Sequence, residues 1–211
     1  MDPSLRQPDS PPADVTDDGE RSNDDEPPPR WRLELDIVED DGDWQAFGAV
    51  DALVEAVCRV LADAPELETD EPASAAIALS SDAAVRRLNA AYRGKDAPTN
   101  VLSFPAPAPP QDLAGDGLPR ELGDIILAVE TLHAEAAAAG IPPAHHFQHL
   151  LIHGVLHLIG YDHQTDAEAE AMEALETTLL ARLGVADPYA AGSADDEPSS
   201  SPHARPRLPR P

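Results

Sequence analysis

Residues 153–163 read His-Gly-Val-Leu-His-Leu-Ile-Gly-Tyr-Asp-His, the most informative stretch of the chain. The first part of this stretch is predicted to be helical, so His153 and His157, four residues apart, lie on one helix face. Gly160 permits the helix to end and the chain to turn back, because glycine tolerates positive φ. The turn can bring His163 to the same place, and the three imidazoles are then close enough to share one ion.

Three neutral imidazoles with one open coordination position are typical of a catalytic zinc site. A structural site would need a fourth protein ligand, preferably a thiolate, and the one cysteine, Cys58, is far away in sequence. We interpret Cys58 as a buried small hydrophobe. Burying three imidazoles together is costly unless something satisfies their nitrogens, which favours metal binding over packing. We therefore predict that His153, His157 and His163 bind one zinc ion.

The histidine spacing also matches a zinc peptidase signature, His-Glu-x-x-His-x-x-Gly-x-x-His, except at one position. Peptidases carry their glutamate general base at that position, and here it is Gly154, so a peptidase is disfavoured.

Water would be activated by the metal alone or by a group from elsewhere in the chain. Asp162 is a candidate helper, although a turn residue is an equally good interpretation. His149, one turn before His153, is a candidate to support a ligand from behind.

A basic island precedes this helix in the sequence. It contains Arg86, Arg87, Arg93 and Lys95, which are half of the eight bases within residues 31–189. Arginine suits phosphate through its planar, bidentate fork, so a basic loop in an acidic protein predicts an anion contact. Arg93 is the first candidate, whereas Arg86 and Arg87 can equally be helix-end charges that pair with acids. Zinc with a phosphate-binding Arg93 suggests phosphodiester hydrolysis, in which the guanidinium offsets charge in the transition state.

The order of predicted elements defines the fold class. Val85, Leu88 and Tyr92 share one face of a helix that Ser81 can cap, which predicts a buried stripe. Few strands, irregularly interleaved with helices, predict a single α+β domain. Strands are predicted at 31–37, 75–79, 100–104 and 124–129, a loop at 105–121, and helices at 44–63, 81–92, 130–140, 144–159 and 166–183.

Composition restricts the possible functions. The chain has 40 acidic residues against 14 Lys plus Arg, a formal charge of -26. Such a net field repels phosphate, which excludes a basic protein that wraps nucleic acid in a groove. Residues 31–189 alone hold 28 acids and eight bases, so the excess belongs to the folded part. An acidic surface with almost no lysine suggests a host adapted to high salt, which would screen the self-repulsion.

The two ends differ from the middle of the chain. Residues 1–30 and 190–211 are low in complexity and hold 12 of the 23 prolines. Neither can bury enough apolar surface to offset the entropy of ordering, so both are predicted to be disordered extensions of one domain at 31–189. No run of 18 apolar residues and no apolar segment near the N-terminus is present. We therefore expect no membrane span, no secretion and a cytoplasmic protein.

Four segments together resemble the YbeY family, the bacterial rRNA maturation factors and endoribonucleases. The resemblance covers roughly residues 31–190 in family order, and the segments are His153–His163, Tyr92–Asp96, Pro98–Pro105 and Leu122–Ile125. It implies a single α+β domain with a small mixed sheet packed by helices and a three-histidine metal cleft. It further implies that the three histidines bind zinc and that Arg93 is the functionally important arginine of the family.

The resemblance also implies an activity and partners. The activity is metal-dependent cleavage of single-stranded RNA, in 16S rRNA 3′-end maturation and in quality control of 70S ribosomes. The partners are the precursor rRNA, the small ribosomal subunit, one of its proteins and the GTPase Era. The alternative is a ribosome-assembly factor in which zinc mainly holds the fold, and the open coordination position favours the nuclease over it.

Overall fold

The computed structural model describes residues 32–67, 71–107 and 119–190. Within these ranges the chain forms four strands and five α-helices. The strands are β1 (Leu33–Glu39), β2 (Ala73–Ser80), β3 (Val101–Pro105) and β4 (Arg120–Ala128). The helices are α1 (Val50–Ala62), α2 (Asp82–Arg93), α3 (Val129–Ala139), α4 (Pro143–Leu158) and α5 (Asp166–Arg182).

The strands form one mixed sheet in the order β1-β2-β4-β3. The β1–β2 and β2–β4 pairs are parallel, whereas β3 runs antiparallel to β4 and lies at the edge. Helices pack against this sheet, so the predicted α+β class with a small mixed sheet is confirmed. The edge position of β3 leaves one side of that strand for the site described below.

Helix α4 is the most deeply embedded helix of the described fold. It contacts β3, β4 and the helices α1, α3 and α5. Phe147, Leu151, Ile152, Val155 and Leu156 are fully buried on it. A helix packed on so many sides cannot shift without opening the core, because protein interiors are close-packed. Its one partly exposed face, which carries histidines, is therefore held rigidly.

The predicted helix over 44–63 is in fact two pieces. A short 3₁₀ turn covers Gln45–Phe47, and α1 begins only at Val50. Gly48 separates them with φ 83°, a conformation that favours glycine. The apolar spacing was misleading because Phe47 and the residues of α1 pack on the same core without sharing a helix.

Strand β4 begins four residues earlier than predicted, at Arg120, so the predicted loop over 105–121 is shorter. Gly123 makes this possible, since its φ is 127° and a Cβ there would lie 2.1 Å from the carbonyl oxygen of Phe104. The pairing with β2 shifts register between Ser74 and Ala75 at the same level. Only a residue without a side chain lets β4 pass this close to β3.

The predictions for the two ends lie outside the described residues, apart from Ala190. The same holds for Trp31, the first residue of the predicted strand 31–37, and for most of the Pro/Gly-rich segment. Among the described residues, no helix combines the length and the apolar character that crossing a bilayer requires.

Candidate metal centre

Three imidazoles converge at the C-terminal end of α4. The Nε2 atoms of His153 and His157, on successive turns, are 3.1 Å apart. Beyond the helix, Gly160 adopts φ 104° and the chain turns back toward α4. His163 follows this turn, and one ring nitrogen of each histidine lies within 4.8 Å of the other two. The structure thus brings together the three residues that the sequence predicts as metal ligands.

The other ring nitrogens fix which tautomer each helical histidine adopts. Nδ1 of His157 lies 3.0 Å from the carbonyl oxygen of Tyr161, which can only accept a hydrogen bond. Nδ1 of His153 lies 2.8 Å from a carboxylate oxygen of Glu176. In each neutral ring the proton is therefore on Nδ1, and Nε2 carries a lone pair.

Two lone pairs facing each other at 3.1 Å repel unless a cation or a proton lies between them. The nitrogen donors, their number and their neutral tautomers all suit zinc, which binds imidazole in sites of this kind. Burial, followed by the repulsion that a protonated His153 would exert, lowers the pKa of His157 below its usual value. Its neutral form, the one that binds metals, therefore dominates at neutral pH. The residues fit a zinc ion.

Glu176 of α5 is the residue that sequence reasoning missed. Its side chain is 0% exposed, and it receives hydrogen bonds from His153 at 2.8 Å, from His149 at 3.0 Å and from the Tyr189 hydroxyl. Burial alone would raise its pKa, but these hydrogen bonds lower it to about 2. The signal in the sequence was one glutamate within the buried stripe of α5, beside Leu175 and Leu179.

His149 supports the site through this carboxylate. The prediction placed it behind His153, and its Nε2 contacts Glu176, which in turn contacts His153. Burial, followed by the hydrogen bond to Glu176, raises the pKa of Tyr189, so its hydroxyl stays protonated and donates. The result is a chain of groups around one buried carboxylate that holds one imidazole in a single orientation.

The three histidines line a cleft of about 550 Å³. Its opposite wall comes from the end of α2, the following loop and β3. Arg93, the last residue of α2, lines this wall and is exposed. It makes no ion pair among the described residues. Asn100 on the same wall donates to Glu135 at 3.0 Å, so its amide is fixed.

The other cations of the basic island lie outside the cleft lining. Arg86 forms a bidentate pair with Asp96, at 2.7 and 2.8 Å, which matches the interpretation of a helix-end charge paired with an acid. This pair ties the loop that follows Arg93 back to α2. Arg87 and Lys95 are exposed.

Asp162 lies at the cleft and shapes the turn that carries His163. Its Oδ1 accepts the backbone N–H of His163 at 2.8 Å, and its Oδ2 accepts from Gln164. The backbone hydrogen bond holds the pKa of the Asp162 carboxyl below its usual range. These contacts correspond to the turn interpretation of Asp162.

Comparison with known proteins assigns the family. The family model described as Endoribonuclease YbeY matches residues 41–184, more than half of the chain and all three histidines with Arg93. This chain belongs to the YbeY family. Endoribonuclease YbeY of Rhodopseudomonas palustris, strain CGA009, is 50% identical over 147 residues, 70% of this chain and 76% of that protein.

Two further matches span nearly the whole length of the other protein. Endoribonuclease YbeY of Azorhizobium caulinodans is 45% identical over 158 residues, 75% of this chain and 97% of that protein. The solution structure of TM1509 from Thermotoga maritima is 22% identical and covers 81% of this chain and 99% of that chain, with a TM-score of 0.48.

Gly154 separates the arrangement in this YbeY chain from a peptidase. A Cβ at Gly154 would lie 3.0 Å from Cγ2 of Ile125 on β4, so this position faces the sheet and not the cleft. A glutamate there would have to displace the buried Ile125 side chain. The cleft offers imidazoles for metal binding beside a guanidinium that makes no ion pair among the described residues, which suits a phosphate ester.

Proposed function

We propose that this chain is a zinc-dependent endoribonuclease that cleaves single-stranded RNA. His153, His157 and His163 hold the ion, and Arg93 binds the phosphate that is cleaved. The observation that carries the proposal is one cleft in which three imidazole nitrogens within 4.8 Å of one another face an exposed guanidinium. The relatives described as endoribonucleases support RNA as the substrate.

Each residue has a task that follows from its contacts. When bound, zinc supplies a Lewis acid that polarises phosphate and lowers the pKa of water. Glu176 holds His153, and the Tyr161 carbonyl holds His157, with their Nε2 lone pairs toward the ion. Arg93 donates two parallel hydrogen bonds to phosphate oxygens and offsets the negative charge that grows on them in the transition state.

The biological setting we propose follows the family resemblance. The chain would act in the cytoplasm, in 16S rRNA 3′-end maturation and ribosome quality control, together with the small ribosomal subunit, one of its proteins and the GTPase Era. A formal charge of -26 disfavours tight binding of bare RNA. Docking through a ribosomal partner is less affected by this charge, and it would bring the RNA to the cleft.

The test is cleavage of a fluorescently labelled single-stranded RNA by the full chain. We expect cleavage to stop when zinc is removed with a chelator and to return when zinc is added back. Arg93→Ala should keep its zinc content and melting temperature, yet lose about 100- to 1000-fold in kcat/KM, as for the loss of one transition-state donor. Arg87→Ala, on the same helix but outside the cleft, is the matched control and should cleave normally.

Two results would contradict the proposal. Undiminished cleavage by Arg93→Ala would remove the arginine from the mechanism. A zinc-loaded wild-type protein that binds small subunits but cleaves no RNA would instead identify an assembly factor in which the metal holds the fold.

A further inference from the structure

Tyr92 is exposed where the sequence pattern predicts burial. It completes the apolar stripe of α2, in which Val85 is fully buried and Leu88 is partly buried. Tyr92 itself is 71% exposed, more than Val38 or Ile141, the other exposed large apolar residues described. The stripe therefore leaves the core at its last residue, and the aromatic ring there presents most of its surface to solvent.

The ring is nevertheless held in place. Phe104 of β3 packs against Tyr92 with ring centroids 5.1 Å apart and planes at 63°, an edge-to-face geometry. Phe104 is itself anchored, since it packs on the small cluster formed by Val85, Leu102 and Ala128. Tyr92 is thus oriented by a fixed neighbour while most of its surface faces solvent.

Both aromatic residues adjoin the lining of the metal cleft. Arg93 directly follows Tyr92, and Ser103 and Pro105 flank Phe104; all three line the cleft. Side chains alternate along a strand, so Phe104 lies on the α2 side of β3 while its neighbours face the cleft. The aromatic pair therefore stands at the rim of the cleft, across edge strand β3 from the histidines.

The surrounding charge indicates the kind of ligand. The chain is strongly acidic, yet Arg93, the residue after Tyr92, is an exposed cation that lines the cleft and makes no ion pair among the described residues. The sheet register pairs the exposed Asp124 with Phe104, and this carboxylate lies outside the cleft lining. A flat exposed ring next to a cation at the cleft suits a nucleotide, whose base stacks while its phosphate pairs. An apolar protein segment would gain from the ring but nothing from the cation.

We infer that Tyr92, supported by Phe104, is a stacking platform for the base of a nucleotide next to the phosphate bound by Arg93. This inference rests on the proposed function and specifies how its substrate is held. A base can stack on a side chain only when it has left its own helix, so the platform selects single-stranded RNA. It is tolerant of sequence, because every base presents a π-face.

The experiment compares Tyr92→Leu with Tyr92→Phe in steady-state cleavage of a single-stranded oligonucleotide by the zinc-loaded full chain. Tyr92→Leu should raise KM about tenfold or more, within the range for loss of one stacked base, with kcat little changed. Tyr92→Phe keeps the ring and should resemble the wild type. Val38→Ala, on β1 at the opposite edge of the sheet, is the exposed apolar control and should leave KM unchanged. Zinc content and melting temperature should be the same in all four proteins.

A second arm walks a single abasic nucleotide along the RNA. At one position beside the cleavage site, where the base would stack on Tyr92, the missing base should raise KM for the wild type. The same missing base should cause no further rise in KM for Tyr92→Leu, because both changes remove the same contact. An unchanged KM in Tyr92→Leu, or additive effects at every position, would overturn the platform while leaving the nuclease intact. A wild-type protein that neither cleaves nor binds the oligonucleotide would overturn both proposals.

Discussion

The two walls of the cleft are built in opposite ways. On the α4–α5 wall, His153 and His157 each have one ring nitrogen engaged by a fixed acceptor, and the Glu176 carboxylate behind them is fully buried. On the α2–β3 wall, Arg93 is exposed and its guanidinium makes no ion pair among the described residues, and Tyr92 is exposed at the adjoining rim. The side chains of the α4–α5 wall are therefore already held in place by hydrogen bonds. The α2–β3 wall presents side chains that are available to bind a ligand.

This difference separates the expected effects of substitutions. A buried, hydrogen-bonded network contributes to folding, and removing one member leaves polar groups without partners. An exposed side chain contributes little to stability, usually within about 0.5 kcal/mol. Substitutions on the α4–α5 wall should therefore alter metal affinity and folding stability together. Substitutions on the α2–β3 wall should alter only the binding and cleavage of RNA.

The largest effect is expected for His157→Ala. This change removes one of the three nitrogens and the contact to the Tyr161 carbonyl, so zinc affinity should fall by more than the roughly 100-fold typical of groups behind the ligands. The zinc-dependent part of the melting temperature should disappear with it, because metal binding energy is folding energy at such sites. Metal analysis and calorimetry with and without chelator measure both quantities.

The control for this change is His145→Ala, about three turns earlier on α4 and outside the cleft lining. It should keep one zinc ion per chain. Identical melting curves of the wild-type protein with and without chelator would show that the α4–α5 wall does not gain stability from a metal, and the contrast between the two walls would then be wrong.

A smaller effect on metal binding is expected for Glu176→Gln. The amide keeps the shape but loses the charge that orients His153 and His149, so zinc affinity should fall by about 10- to 100-fold. Competition with a calibrated zinc chelator measures this change. Glu170→Gln, exposed on the same helix, is the matched control and should bind zinc like the wild type.

The same variant tests the pH dependence of stability. Hydrogen bonds lower the pKa of Glu176 from 4.5 to about 2, although burial alone would raise it. A lowered folded pKa gives stability that is present above the unfolded pKa and is lost as pH falls toward the folded one. The wild type should therefore lose this contribution between about pH 4.5 and pH 2, and Glu176→Gln should lack that part of the decline. Superimposable pH profiles of the two proteins would contradict this role for the carboxylate.

Local patterns were enough to predict most of the helices and the convergence of the histidines. Four-residue spacing on α4 and a glycine turn act over a few residues, and so does the capping box of Thr165 and Glu168 that begins α5. The α+β class followed from the order of such segments. That His153, His157 and His163 bind zinc and that Arg93 contacts phosphate stay predictions.

Features that depend on packing between distant segments were not predictable from the sequence. Glu176 contacts His153, 23 residues earlier in the chain, because α5 packs on α4. Without that packing the carboxylate would have no histidine to accept a hydrogen bond from. The early start of β4 depends on Gly123 passing beside β3, a contact between two strands. Tyr92 follows the apolar spacing of a buried stripe, but α2 extends beyond the core before reaching it.

The smallest effect is expected for Gly154→Ala, where α4 packs on Ile125 of β4. The new Cβ would lie 3.0–3.3 Å from three atoms of the fully buried Ile125 side chain. Overpacking of this kind costs about 1–3 kcal/mol, and the better helix propensity of alanine returns up to about 1 kcal/mol. We expect a net loss of about 1 kcal/mol, or about 2–4 °C in melting temperature, with zinc binding unchanged.

A double-mutant cycle with Ile125→Val decides whether this contact is the cause. Valine lacks Cδ1, which lies 3.1 Å from the new Cβ, and Ile125→Val alone should cost about 0.5–1.5 kcal/mol. If the close contact is responsible, the double variant loses less stability than the sum of the two single variants. A higher melting temperature for Gly154→Ala would mean that helix propensity outweighs packing. The absence of a side chain at this position would then not be a requirement of the close approach between α4 and the sheet.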